Sequence, residues 1–147
     1  KLREEPSEWT GRIMASAVVE STYIRNVYEM IHPSALTDEI AGSPMAPVLQ
    51  IGRMAIPTDV EDAFNEWYNT IYVPNYEKVP GCIRGRRYRA VVGEPRYSVM
   101  YELEHDKVSQ SAEWLYQQTG HPDNAGMRRA MQHAEGSPGI WTKTFEV

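Results

Sequence analysis

The densest run of chemically capable side chains is Phe64-Asn65-Glu66-Trp67-Tyr68-Asn69-Thr70-Ile71-Tyr72-Val73-Pro74. Asn65, Asn69, Tyr72 and Tyr76 recur at i, i+4, i+7 and i+11, so a helix gathers them on one flank. Such a stripe lines a pocket or forms a solvated edge. A phenol at Tyr72 can donate a hydrogen bond to a carbonyl or enolate oxygen. It can also lose its proton where its surroundings lower the ordinary pKa of about 10. Asn65 is suited to orienting a substrate. Downstream, Arg84, Arg86, Arg87 and Arg89 cluster, with Arg86 and Tyr88 on one face of a strand and Arg87 and Arg89 on the other. Arg86 or Arg87 would hold an anionic or enolic oxygen, and pairing with Glu102 or Glu104 is the competing use. Trp67, Tyr68, Tyr76, Tyr88 and Tyr101 are the candidate substrate-binding aromatics; for Trp67 and Tyr68, core packing competes.

Other chemistries lack their residues. His32, His105, His121 and His133 have no metal-ligand spacing and read as surface or capping residues. There is no Gly-rich phosphate loop, no Gly-x-Ser-x-Gly elbow and no paired cysteine motif, so neither a cofactor nor a metal is expected. A net charge of −5 argues against nucleic acid as a partner. No apolar run reaches the roughly 20 residues of a membrane span. Cys82 is alone, which rules out an internal disulfide and fits a cytoplasmic location.

The elements that must position these residues follow from the patterning. Val48 to Ile56 reads as a strand stopped by Pro57, with Thr58 or Asp59 as the next helix cap. Val60, Ala63, Phe64, Trp67, Tyr68 and Ile71 make one apolar helical face, which Pro74 is expected to end or kink. Cys82 to Val92 reads as a strand, and the alternation of Tyr97, Val99, Tyr101 and Leu103 marks another. A second long helix is expected from Ser109 or Ser111 to near Gly120, a short one over residues 123–133, and a last strand over residues 139–147. The order β-α-β-β-α-β over residues 48–147 is that of a ferredoxin-like α+β domain, an antiparallel sheet with helices on one face. Its other face, including Met54 or Arg53, needs a cover from a second subunit or a repeat. Residues 32–47 read as a linker and residues 1–31 as a helix-strand extension, with the strand over residues 22–31. A gapless register of Arg12 with Arg129, Met14 with Met131, Tyr28 with Phe145 and Glu29 with Glu146 suggests the close of an earlier repeat.

With Val79-Pro80-Gly81, Gly85-Arg86-Arg87-Tyr88, Pro95-Arg96-Tyr97 and Tyr101-Glu102-Leu103-Glu104, the 64–74 run resembles the EthD-like proteins of the dimeric α+β barrel superfamily. The resemblance covers about two-thirds of the chain and implies a homodimer, or pairing with a second barrel repeat, around a small organic ligand. Where that family carries Glu-His before the Val-Pro, this chain has Ile71-Tyr72. The expectation is a cofactor-independent enzyme of secondary metabolism, of cyclase, isomerase, dehydratase or decarboxylase type. Its substrate would be hydrophobic and oxygenated, aromatic or polyketide-like. The alternatives are a non-catalytic ligand-binding or assembly module that has lost the family histidine, and, more weakly, a cofactor-free or haem-linked oxygenase.

Overall fold

The computed structural model describes residues 25–144, together with Glu8 and Arg12. Apart from Glu8 and Arg12, residues 1–24 of the helix-strand extension lie outside the described residues, as do Met14, Phe145 and Glu146 of the repeat register.

The chain is α+β, and its elements follow in this order: β1 (Val27–His32), α1 (Asp38–Gly42), β2 (Val48–Ala55), α2 (Glu61–Trp67), a π-helical turn (Tyr68–Tyr72), α3 (Val73–Glu77), β3 (Cys82–Val92), β4 (Tyr97–Leu103), a 3₁₀ turn (Asp106–Gln110), α4 (Ala112–Tyr116), α5 (Asn124–Ala130), β5 (Gln132–His133) and β6 (Gly139–Thr142). Across the sheet the order is β1-β3-β4-β2, and β5 and β6 both pair with the remaining edge of β2. Every neighbouring pair is antiparallel.

Alternation along the strands divides the residues between two faces. On β4, Tyr97, Val99, Tyr101 and Leu103 are buried against α2 and α3 with Phe64, Trp67, Tyr68, Tyr72 and Tyr76. Gly85, opposite Tyr101, lets the helix come close: a Cβ there would stand 2.7 Å from Val73 Cγ1 and 3.0 Å from the Tyr101 ring. Ser98, Met100 and Glu102 face the other way. So does Arg53, whereas Met54 is buried on the helical side.

Several boundaries differ from expectation. Pro74 does not end the helix. The helix changes just before it instead: a π-helical turn, in which Val73 N–H bonds Tyr68 O, joins α2 to α3. Neither Thr58 nor Asp59 caps α2; Val60 stands at that position without a side-chain bond. The second long helix is a 3₁₀ turn followed by α4, separated by Ser111, whose hydroxyl accepts from Trp114 N at 3.1 Å. The last described strand stops at Thr142.

The N-terminal strand runs over Val27–His32 and docks on β3, with Glu29 opposite Arg89 and paired to it at 2.6 Å. Residues 32–47 hold α1, capped by Thr37, which accepts from Ile40 N at 3.3 Å. This segment crosses the second face over Leu49 and Met100, so the chain itself supplies part of the cover expected from a partner.

Candidate functional site

Tyr68, Tyr72 and Tyr76 line, with Tyr101 and Trp114, a cavity of about 120 Å³ between the helix and the sheet. The π-helical turn places these tyrosines in a ladder, with ring centroids 4.9 Å apart at each step. Trp114 closes it, 4.4 Å from Tyr76 and 5.2 Å from Tyr101. Gln50 and Met54 enter from β2, Arg128 from α5, and His133 from β5.

The polar tips form a directed chain. Arg128 Nη1 donates to the Tyr72 hydroxyl at 2.6 Å, and Nη2 donates to Gln118 Oε1 at 3.2 Å. Tyr72 and Tyr76 hydroxyls lie 3.3 Å apart. A guanidinium cannot accept, so the Tyr72 proton is left to point at Tyr76 or at a ligand. Among the described residues no carboxylate pairs with Arg128. The cavity wall therefore carries an uncancelled positive charge, relayed through a phenol.

Two further wall atoms, the Tyr101 hydroxyl and Gln50 Oε1, are buried without a hydrogen-bond partner. Each such group costs about 1–3 kcal/mol relative to a satisfied one. The Tyr68 hydroxyl interacts with that of Tyr101 both as a weak hydrogen-bonding neighbour and electrostatically, yet no bond of normal geometry joins them. Burial first, and then neighbouring tyrosines, push the pKa of Tyr68, Tyr76 and Tyr101 above the ordinary phenol value, so all three are protonated at neutral pH. At the mouth, His133 is held below the usual imidazole value by burial and then by Arg128, with a backbone bond at Arg53 opposing. Its ring is neutral at pH 7 and can accept a proton.

The nine residues singled out in the sequence fall in three places. Tyr68, Tyr72, Tyr76 and Tyr101 meet at the cavity. Asn65 and Arg87 lie behind Tyr68: Arg87 donates to Asn65 Oδ1 at 2.8 Å and Asn69 Oδ1 at 2.6 Å, and its guanidinium sits 4.3 Å from the Tyr68 ring centre. Arg87 is 2% exposed, so these amides and the ring hold a buried cation rather than await a substrate. Trp67 is beside them and donates from Nε1 to Asn124 Oδ1 at 3.1 Å, anchoring the start of the helix that carries Arg128. Arg86 and Tyr88 are on the opposite face of the sheet, Arg86 paired with Glu102 at 2.7 Å and Tyr88 edge-on to Tyr28. Arg128 and Gln50 have no sequence signal, and His133, which reads from the sequence as a surface or capping residue, also lines this cavity; the three come from separate elements with no shared spacing, and only the fold joins them. Searches of protein-family models, curated proteins and solved structures find no match to this chain.

Proposed function

We propose that this chain is a cofactor-independent enzyme that moves a proton next to a carbonyl and stabilises the resulting enolate. Its substrate is a hydrophobic, oxygenated, aromatic or polyketide-like compound. The observation that carries this is the Arg128–Tyr72 hydrogen bond in the wall of an aromatic cavity, with no carboxylate cancelling the guanidinium. In this reading His133 takes the proton from the carbon beside the carbonyl. The C–H electron pair moves into the C–C–O system, and Tyr72 donates to the oxygen as charge gathers there. Arg128 stabilises that charge through Tyr72, and Tyr101 and Gln50 offer a donor and an acceptor to the substrate's other oxygens. Asn65 and Arg87 act as positioning residues behind Tyr68. Cyclisation, isomerisation, dehydration and decarboxylation share this enolate step.

The strand order β6-β2-β4-β3, all antiparallel, supports a ferredoxin-like domain of the EthD-like, dimeric α+β barrel kind, with β1 added beyond β3. We place the homodimer contact on the part of the second face that α1 leaves open, around Arg53 and the half-exposed Trp141. A non-catalytic binding module is the alternative, favoured by a cavity of about 120 Å³, below the roughly 300 Å³ at which drug-sized pockets begin.

Deuterium exchange at the carbon beside the carbonyl of an aryl ketone, followed by proton NMR, separates the two. The enzyme accelerates exchange over buffer, and Tyr72→Phe slows it by roughly 10²-fold, the worth of one pre-organised donor. Ketone binding without any acceleration would favour the module.

A further inference from the structure

The larger cavity lies on the other side of the sheet. A half-open cavity of about 500 Å³ lies between α1 and the outward face of β2, β3 and β4, within the span of about 300–1,000 Å³ common for small-ligand sites. Its walls are apolar, with Leu36, Ile40 and Met45 on the α1 side and Leu49 and Met100 on the sheet. Its polar end is Arg86 with Glu102. Glu102, 4% exposed, is ion-paired with Arg86 (Nη2 at 2.7 Å) and with Arg84 (Nε at 3.2 Å). Two guanidinium groups thus share one carboxylate, leaving one positive charge in excess at a mostly buried position. Arg86 Nε is buried with no acceptor. A buried cation with an idle N–H is stabilised most by a second carboxylate, because charge-assisted bonds to guanidinium are among the strongest available. An apolar channel leading to that end selects a carboxylate with a hydrocarbon body.

We propose that this cavity is a second binding site, separate from the tyrosine cavity, for a single-chain or aryl-alkyl monocarboxylate. Its head lies at Arg86 and its apolar body under α1. The site uses none of the groups proposed for proton transfer and stands or falls independently of that chemistry.

Decanoate is the probe, added to the full chain labelled with ¹³C at the methionine methyls. Met45 and Met100 line this cavity, whereas Met54 and Met131 line the tyrosine cavity, so the methyl signals report which one fills. Saturable shifts at Met45 and Met100, with decanol binding at least tenfold more weakly, support the proposal. Arg86→Leu should weaken decanoate at least tenfold while leaving decanol unchanged. Because that substitution leaves Glu102 with Arg84 alone and can disturb folding, Met45→Glu supplies an independent test. This residue is 65% exposed, and a carboxylate there should repel the ligand at the rim without touching the sheet. Shifts confined to Met54 and Met131, equal affinity for decanol, or no saturable shift would overturn the proposal. So would Met45 and Met100 signals that move with protein concentration alone, since a second copy of the chain would then fill the cavity.

Discussion

Raising the pH should dismantle this protein through its tyrosine ladder. Tyr68, Tyr76 and Tyr101 are 2%, 3% and 4% exposed, and burial lifts all three pKa values above the ordinary one. In the unfolded chain each ionises near pH 10. Above that pH the unfolded state binds fewer protons than the folded state, so stability falls as pH rises; below it the contribution is fully present. Each tyrosine contributes a slope of about 1.4 kcal/mol per pH unit, so the three together give about 4 kcal/mol per unit. A stability of roughly 5–15 kcal/mol would then vanish within about one to four units. Burial, then Glu77 and Glu102, push the Cys82 thiol up to about 12, which adds in the same direction from lower pH. Urea unfolding between pH 8 and the alkaline limit is therefore best run in a Cys82→Ala background, with tyrosinate absorbance recorded in parallel. Tyr101→Phe should remove about a third of the slope. A flat stability profile through pH 11, or a slope that the substitution leaves unchanged, would refute the description of these hydroxyls as buried and proton-holding.

At pH 7, Tyr101→Phe should raise stability by about 1 kcal/mol in urea unfolding, since it removes a buried donor that has no partner; a loss of that size would mean the hydroxyl is bonded. Gly85→Ala should destabilise by about 1–3 kcal/mol, because its methyl would meet Val73 and the Tyr101 ring; unchanged stability would show that the helix can back away. Light scattering at micromolar concentration should give twice the 16.8 kDa chain mass, and a stable monomer would remove the proposed homodimer.

What the sequence disclosed was local, and what it hid was long-range. The apolar row through Phe64, Trp67 and Tyr68 and the alternation from Tyr97 to Leu103 repeat with the periods of a helix and a strand, and both elements form there. Pro74 marked where the helix loses its regular α form, but a proline alone does not show that the π-helical turn before it lets the helix continue. Arg87 and Asn65 had the residue types of a substrate clamp. Their actual use, a guanidinium held by two amides and an aromatic ring, depends on how the helix is set down on β3. Arg128 escaped notice for the converse reason. It lies 56 positions from Tyr72, and no period or motif links them.

The central claim is that Arg128 and Tyr72 make the cavity favour an oxyanion, and a naphthol tests it without any knowledge of the natural substrate. Its absorption spectrum distinguishes the neutral phenol from the naphtholate, so the ionisation of the bound probe can be read directly across a pH series. Binding should lower the apparent pKa of the probe, and both Arg128→Gln and Tyr72→Phe should abolish that shift while the far-ultraviolet dichroism stays native. A naphthol that binds with its pKa unchanged or raised, in a protein whose fold is intact, would contradict the account.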